Sequence, residues 1–210
     1  MDEALRQLSD QIDHATQRLL GTARIITEPD LRASSLLPGW TRAHVLGHLA
    51  RDADAMRNLL VSARTGQDRP AYASADVRQA GIEHSASLRA GELVADLAAS
   101  AMALRTVARQ LPDDGWQVPV RILDSAPFPA AQLLTRRLVE VELHHCDLGA
   151  GYAPADWPRA FATMELAEPM RTERADRVNC TRAAEPLAPV RPTAPYRPNQ
   201  RLPGSWLGTR

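Results

Sequence analysis

Apolar positions in the first three quarters of the chain recur at three- and four-residue steps, the period of a helix that buries one face. Residues 2–26 carry Leu5, Leu8, Ile12, Ala15, Leu19, Ala23 and Ile26 in that register, which predicts a first helix. Pro29 and the stretch from Ser34-Ser35 to Pro38-Gly39 read as a connection. Thr41 is placed to cap a second helix running to about Thr65, with Gly66 as its stop. Its stripe is Val45, Leu49, Ala53, Met56 and Leu60. Residues 66–75 read as loop. Residues 76–111 hold one or two helices on a stripe of Leu93, Leu97, Ala101, Leu104, Val107 and Leu111, with Gly91 a candidate interruption. Pro112 to Pro127 reads as a loop with room for a short extended piece, Gln117 to Ile122. Pro129 is placed to open a last helix to about Leu148, ahead of Gly149 and Gly151. Four main helices and no internal repeat predict an all-α bundle.

Composition supports this reading. The chain has 210 residues, of which 44% are hydrophobic and 24% charged, enough for a sizeable core and too apolar for wholesale disorder. Aromatics are 4% and the apolar residues are mostly Ala, Leu and Val, which favours helices over strands. Net charge is +0, so no nucleic-acid or anionic-membrane partner is expected. No run of 18 apolar residues is present, and Met1-Asp2-Glu3-Ala4 lacks a signal-peptide core, so a cytoplasmic protein is expected. Cys146 and Cys180 make neither a disulfide framework nor a zinc knuckle. Residues 1–165 carry 17 Arg against 21 acidic residues, whereas 166–210 carry 8 Arg against 4 acids and hold 7 of the 16 prolines. The chain therefore divides into a bundle, 1–165, and a poorly ordered Pro/Arg-rich tail, 166–210, without much regular structure.

Candidate chemistry lies on the second and last helices. Arg137, Glu140, His144 and Asp147 form a polar stripe at helical spacing, beside an apolar stripe of Leu134, Leu138, Val141 and Leu148 with His145 in register. Glu140 and His144 are one turn apart, so carboxylate and imidazole emerge on one face. Such a pair either is an ordinary surface ion pair or supplies two ligands to a metal inside a bundle. His48 is the best third ligand, with His44 a turn before it and Asp52 a turn after. His145 reads as a packed core histidine and Cys146 as a small buried hydrophobe, while His14 and His84 read as surface residues. Asp147 either orients a ligand imidazole or caps the helix end. His48 is near the start of its helix, and Glu140 and His144 are near the end of theirs. For them to meet, these helices must run antiparallel. An up-down-down-up order does this and needs one long crossover after the second helix, which Gly66 to about Ser85 can supply.

At these residues the sequence resembles a known family. Leu37-Pro38-Gly39-Trp40-Thr41-Arg42-Ala43-His44-Val45-Leu46-Gly47-His48-Leu49-Ala50 is similar to the "PGWT…HLA" segment of the mycothiol-dependent maleylpyruvate isomerases. Arg137-Leu138-Val139-Glu140-Val141-Glu142-Leu143-His144-His145-Cys146-Asp147-Leu148 resembles their "R-x-x-E-x-x-x-H-x-x-D-L" segment. Gly151-Tyr152, Trp157-Pro158 and Phe161 are also similar to the family's next stretch of chain, so the resemblance spans roughly residues 5–165.

The resemblance implies a DinB-like four-helix bundle with the up-down-down-up order. It implies His48, Glu140 and His144 as ligands of Zn²⁺ or another divalent metal, with an open coordination position. It implies mycothiol as thiol cofactor and a small electrophile as substrate. In the type reaction a thiolate adds to maleylpyruvate, the resulting single bond rotates, and expulsion of the thiol gives fumarylpyruvate. Wider relatives use the same site for thiol transfer, so isomerase and S-transferase are both open. Asp52, Arg137 and Asp147 become candidates for supporting the ligands or facing substrate. Family enzymes carry a small α/β domain after the bundle with an anion-binding Arg. Here Trp206-Leu207-Gly208-Thr209-Arg210 is similar to its end, which makes Arg210 a substrate-binding candidate. A metal-binding bundle without catalysis, acting as a sensor or interaction module, is the alternative reading.

Overall fold

The computed structural model describes residues 1–183, so Arg210 and the Trp206 segment lie outside the described residues. Helix α1, Glu3–Ile25, starts where the Asp2 carboxylate accepts from the Leu5 amide. A short α2 follows at Glu28–Arg32. Helix α3, Arg42–Thr65, begins at Thr41, whose hydroxyl accepts from the His44 amide, and ends at Gly66 with φ +68°, a left-handed stop that glycine adopts without strain. Ser74 caps α4, Ala75–Ser87, and α5 spans Ala90–Gln110. A two-residue ladder pairs β1, Pro119–Val120, with β2, Phe128–Pro129. Helices α6, Gln132–Asp147, α7, Arg159–Ala162, and α8, Met170–Ala183, complete the described residues.

Side-chain bonds fix the helix directions. Arg18 pairs with Glu142 and Thr22 with His145, so α1 and α6 run the same way. Arg51 pairs with Asp96 and Arg64 with Gln110, so α3 and α5 also run together. His48 meets Glu140 while Arg137 reaches the Leu49 carbonyl, so α3 and α6 are antiparallel. The Met1 amino group on Asp113 and Asp13 on Arg105 make α1 and α5 antiparallel. The order is the expected up-down-down-up, and α4 lies inside the long crossover.

Helix α4 packs tightly on α3. A Cβ on Gly47 would lie 2.9 Å from Ser85 Cβ and 3.1 Å from the Ile82 carbonyl oxygen, so only glycine admits this approach, one residue before His48. The core falls into two clusters along the bundle. One gathers Leu19, Leu46, Leu49, Leu93, Leu97 and Leu138, and the other Met56, Leu60, Leu104, Trp116, Leu133 and Leu134.

Some boundaries differ from the sequence expectation. The 76–111 segment breaks at Leu88-Arg89, where the Glu92 side chain accepts from the Arg89 amide, and Gly91 lies within α5. Pro129 does not open the last helix. It sits in β2, because the Ala130 and Ala131 amides donate to the Val118 and Trp116 carbonyls before α6 begins. Helix α8 lies inside the segment read as tail, and six of that segment's seven prolines come after it. Leu166 and Met170 are buried, and Arg174 donates to the Phe161 carbonyl at 2.7 Å, so arginine contacts and a few apolar residues, not an apolar stripe, dock this helix. No helix among the described residues is long and apolar enough to cross a membrane.

Candidate metal centre

The site forms where the N-terminal part of α3 crosses the C-terminal part of α6. Thr41 and Gly47 set the position of α3: the first caps it and the second lets α4 close on it. His48 then projects into the bundle, 4% exposed. Its Nε2 lies 2.9 Å from Glu140 Oε2. His144, one turn beyond Glu140, places its own Nε2 3.1 Å from the same oxygen. The two imidazole rings meet edge to face at 4.7 Å. One donor atom from each of His48, Glu140 and His144 lies within 4.8 Å of the others. Two imidazole nitrogens and a carboxylate oxygen so gathered can converge on one ion with bonds of about 2 Å, and this donor set suits zinc.

The surroundings hold these donors in place. His144 Nδ1 is 2.9 Å from Asp147 Oδ2, so the ring donates its Nδ1–H to the carboxylate in a hydrogen bond and turns Nε2 toward Glu140. Arg177 of α8 clamps Asp147 with two bonds, Nη2 to Oδ2 at 3.0 Å and Nε to Oδ1 at 3.3 Å. His48 Nδ1 faces Arg78 Nη2 of α4 at 3.4 Å. Buried Trp40 stands against the His48 ring at 5.6 Å between centroids. Below the donors, Arg137 gives Nη1 to the Leu49 carbonyl at 2.9 Å and to Asp52 Oδ2 at 2.7 Å.

Burial and hydrogen bonding divide the charge. Burial resists charging His144, but Asp147 and Glu140 outweigh it and raise the ring to about 9. Burial lowers His48 to about 4, against the pull of Glu140. Glu140 is buried too, yet the bonds from His144 and His48 hold its carboxyl below the usual range. Burial, then the Glu140 charge, raise Asp52 to about 6 against Arg137. Without an ion the cluster is therefore a neutral His48, an anionic Glu140 and a cationic His144.

Six of the seven sequence candidates are described, and these gather here. His48, Glu140 and His144 converge, Asp147 bonds His144, and Asp52 pairs with Arg137. Asp147 therefore stands against the His144 imidazole, at the last residue of α6. His44 is drawn away: its Nδ1 takes the Thr41 amide and its Nε2 meets Glu83 at 3.1 Å. His145 packs in the core, its Nε2 on Thr22 and its ring stacked on Tyr152 at 3.8 Å. Cys146 is buried, and burial pushes its thiol up to about 12. His14 and His84 are exposed. Arg78 and Arg177 were missed by the sequence reading. Both lie on helices whose place against the site depends on long-range docking, and neither stands in a spacing that marks it.

Comparison with known proteins gives a consistent picture. A family profile described as the mycothiol maleylpyruvate isomerase N-terminal domain matches residues 12–149. A crystal structure of the mycothiol-dependent maleylpyruvate isomerase is similar at 29% identity and a TM-score of 0.71, covering 75% of this chain and 65% of that one. A histidine-to-alanine mutant of that enzyme is similar at 28% identity, with the same TM-score and coverage. The chain thus spans 65% of the length of these solved relatives. None of the curated proteins matches it.

Proposed function

Because the chain belongs to the mycothiol maleylpyruvate isomerase N-terminal domain family, we propose that it is a zinc-dependent, mycothiol-using enzyme. Its reaction is cis–trans isomerisation of a small activated alkene, of the maleylpyruvate type, or transfer of the thiol to a small electrophile. The observation that carries this reading is the convergence of buried His48 and Glu140 with half-buried His144 on an up-down-down-up, DinB-like bundle. Zinc bound there supplies a thiol-binding position and keeps the thiol ionised at neutral pH. The chain's own residues do the rest. His48, Glu140 and His144 would hold the ion, three donors of the kind that catalytic zinc sites use. Asp147 fixes the His144 tautomer and orientation. Trp40 packs against the His48 ring on one flank, and the Arg137–Asp52 pair ties α3 to α6 beside the donors. We place the activity in the cytoplasm, where low-molecular-weight thiols stay reduced.

The test is metal content followed by thiol-dependent turnover. Purified protein is expected to carry about one zinc per chain. His48→Ala and His144→Ala lose most of it, whereas His145→Ala keeps it, because that side chain leaves α6 about 100° away. Turnover requires added thiol and survives Cys146→Ser and Cys180→Ser. Full turnover without added thiol overturns the thiol reading, and metal retained in His144→Ala overturns the ligand set. Bound metal without any thiol-dependent turnover leaves the non-catalytic metal-binding module in its place.

A further inference from the structure

Helix α8 lies beyond residues 12–149, the span shared with the family profile, yet one of its side chains reaches the candidate metal centre. Arg177 forks onto both oxygens of Asp147, at 3.0 and 3.3 Å, and Asp147 in turn takes the Nδ1 side of His144 at 2.9 Å. Asp147 is 4% exposed, so its carboxylate has little water to stabilise it once the ring and the guanidinium are removed. A forked guanidinium fixes the plane of a carboxylate as well as its charge, which an ammonium does not. We propose that Arg177 is a positioning residue for the metal: through Asp147 it fixes the orientation of His144 and so sets metal affinity. The segment after the bundle is thereby coupled to the site. This inference rests on the assignment of His48, Glu140 and His144 as ligands.

Two features separate positioning from mere docking of α8. Arg174 also holds α8 to the body of the protein, through the Phe161 carbonyl at 2.7 Å and the Phe161 ring, but it makes no contact with Asp147. Loosening α8 at Arg174 therefore tests docking, and removing Arg177 tests the Asp147 clamp. Asp147 is the only route by which the proposal lets Arg177 act, so losing both must cost little more than losing Asp147 alone.

The experiment measures Zn²⁺ affinity by chelator competition and the visible spectrum of the Co²⁺-loaded full chain. Arg177→Ala weakens Zn²⁺ binding by up to about tenfold, the low end of the range for losing a metal-bound histidine's own partner because Arg177 stands one contact further out, and alters the Co²⁺ bands. Arg177→Lys recovers part of the affinity. Arg174→Ala stays within about twofold of the parent even where melting shows a loosened α8. Asp147→Ala with Arg177→Ala binds no more weakly than Asp147→Ala alone. Unchanged affinity and spectrum in Arg177→Ala overturn the inference while leaving the ligand assignment intact. Equal losses in Arg174→Ala and Arg177→Ala also overturn it, in favour of docking. A parent chain that binds neither Zn²⁺ nor Co²⁺ overturns the ligand assignment, and this inference with it.

Discussion

Glu140 Oε2 is the pivot of the centre, because both imidazoles turn their Nε2 atoms to it and compete for a proton there. His144 holds that proton, with its ring raised to about 9, and His48, lowered to about 4, does not. An incoming cation needs the lone pair on His144 Nε2, so at pH 7 it must displace one proton. Lowering the pH therefore favours protonated His144 and weakens metal binding, and raising it strengthens binding until about 9. Zinc affinity should climb about tenfold per pH unit between about pH 6.5 and 8.5. Calorimetry in two buffers of different ionisation heat should count about one proton released per ion at pH 7. A flat affinity profile over this range would show that His144 holds no proton for the metal to displace at neutral pH. At this scale the sequence was highly legible for α6, because a four-residue spacing puts Glu140 and His144 on one face whatever the helix packs against. It was less so for α3, where His44, His48 and Asp52 share a face. Thr41 resolves that choice by taking His44 into the helix cap, which spacing does not reveal.

At the scale of elements, the centre depends on how closely α4 lies against α3. Gly47 is the contact point, and the atoms a Cβ would meet include the Ile82 carbonyl oxygen at 3.1 Å and the Ala86 amide nitrogen at 3.3 Å. Those are backbone atoms, so they yield only if the helix moves. Gly47→Ala should lower stability by about 1–3 kcal/mol, despite the better helix propensity of alanine, and should weaken metal binding by shifting His48. Gly21 is the control: it lies inside α1 with nothing within 4 Å of an added Cβ. Gly21→Ala should raise stability by about 0.5–1 kcal/mol and leave metal affinity unchanged. Denaturant unfolding of the two variants checks the opposite signs. Helices α1, α3, α5 and α6 were legible because each carries an apolar stripe and a stop. The breaks were harder, since Leu88 and Arg89 are ordinary helix formers and the turn there is held by Glu92. Helix α8 was hidden for another reason. It is rich in arginine and polar outside a few contacts, and the proline run beyond it dominated the composition of its segment.

Across the whole molecule, the two apolar clusters are joined at α1, where Leu8 and Ile12 pack against both, but are separated on α3 and α6 at the level of the centre. On α3 the first cluster reaches Ala50 and the second resumes at Ala53; on α6 the second ends at Leu134 and the first resumes at Leu138. Buried Asp52 and Arg137 lie across this gap, with His48 and Glu140 beside it. A polar layer in a small bundle is costly unless its members are paired, and Arg137 Nη2 has no hydrogen-bond partner among the described residues. An ion held by His48, Glu140 and His144 would tie α3 to α6 beside this gap. The folded chain would bind it and the unfolded chain far more weakly, so the ion should stabilise by mass action. At about a thousand times its dissociation constant the gain is about 4 kcal/mol. For a chain of this size that is a melting shift of about 10 °C. Chelator-treated protein should therefore melt about 10 °C below the same protein with excess zinc. Asp52→Ala should lower both melting temperatures, because it leaves Arg137 buried without its carboxylate, at about 3–5 kcal/mol. The gap between its two forms should nevertheless persist, since Asp52 is not among the three donors. Equal melting of metal-free and zinc-loaded protein would show that the layer between the clusters is held by its own ion pairs, and that no cation is part of this fold's stability.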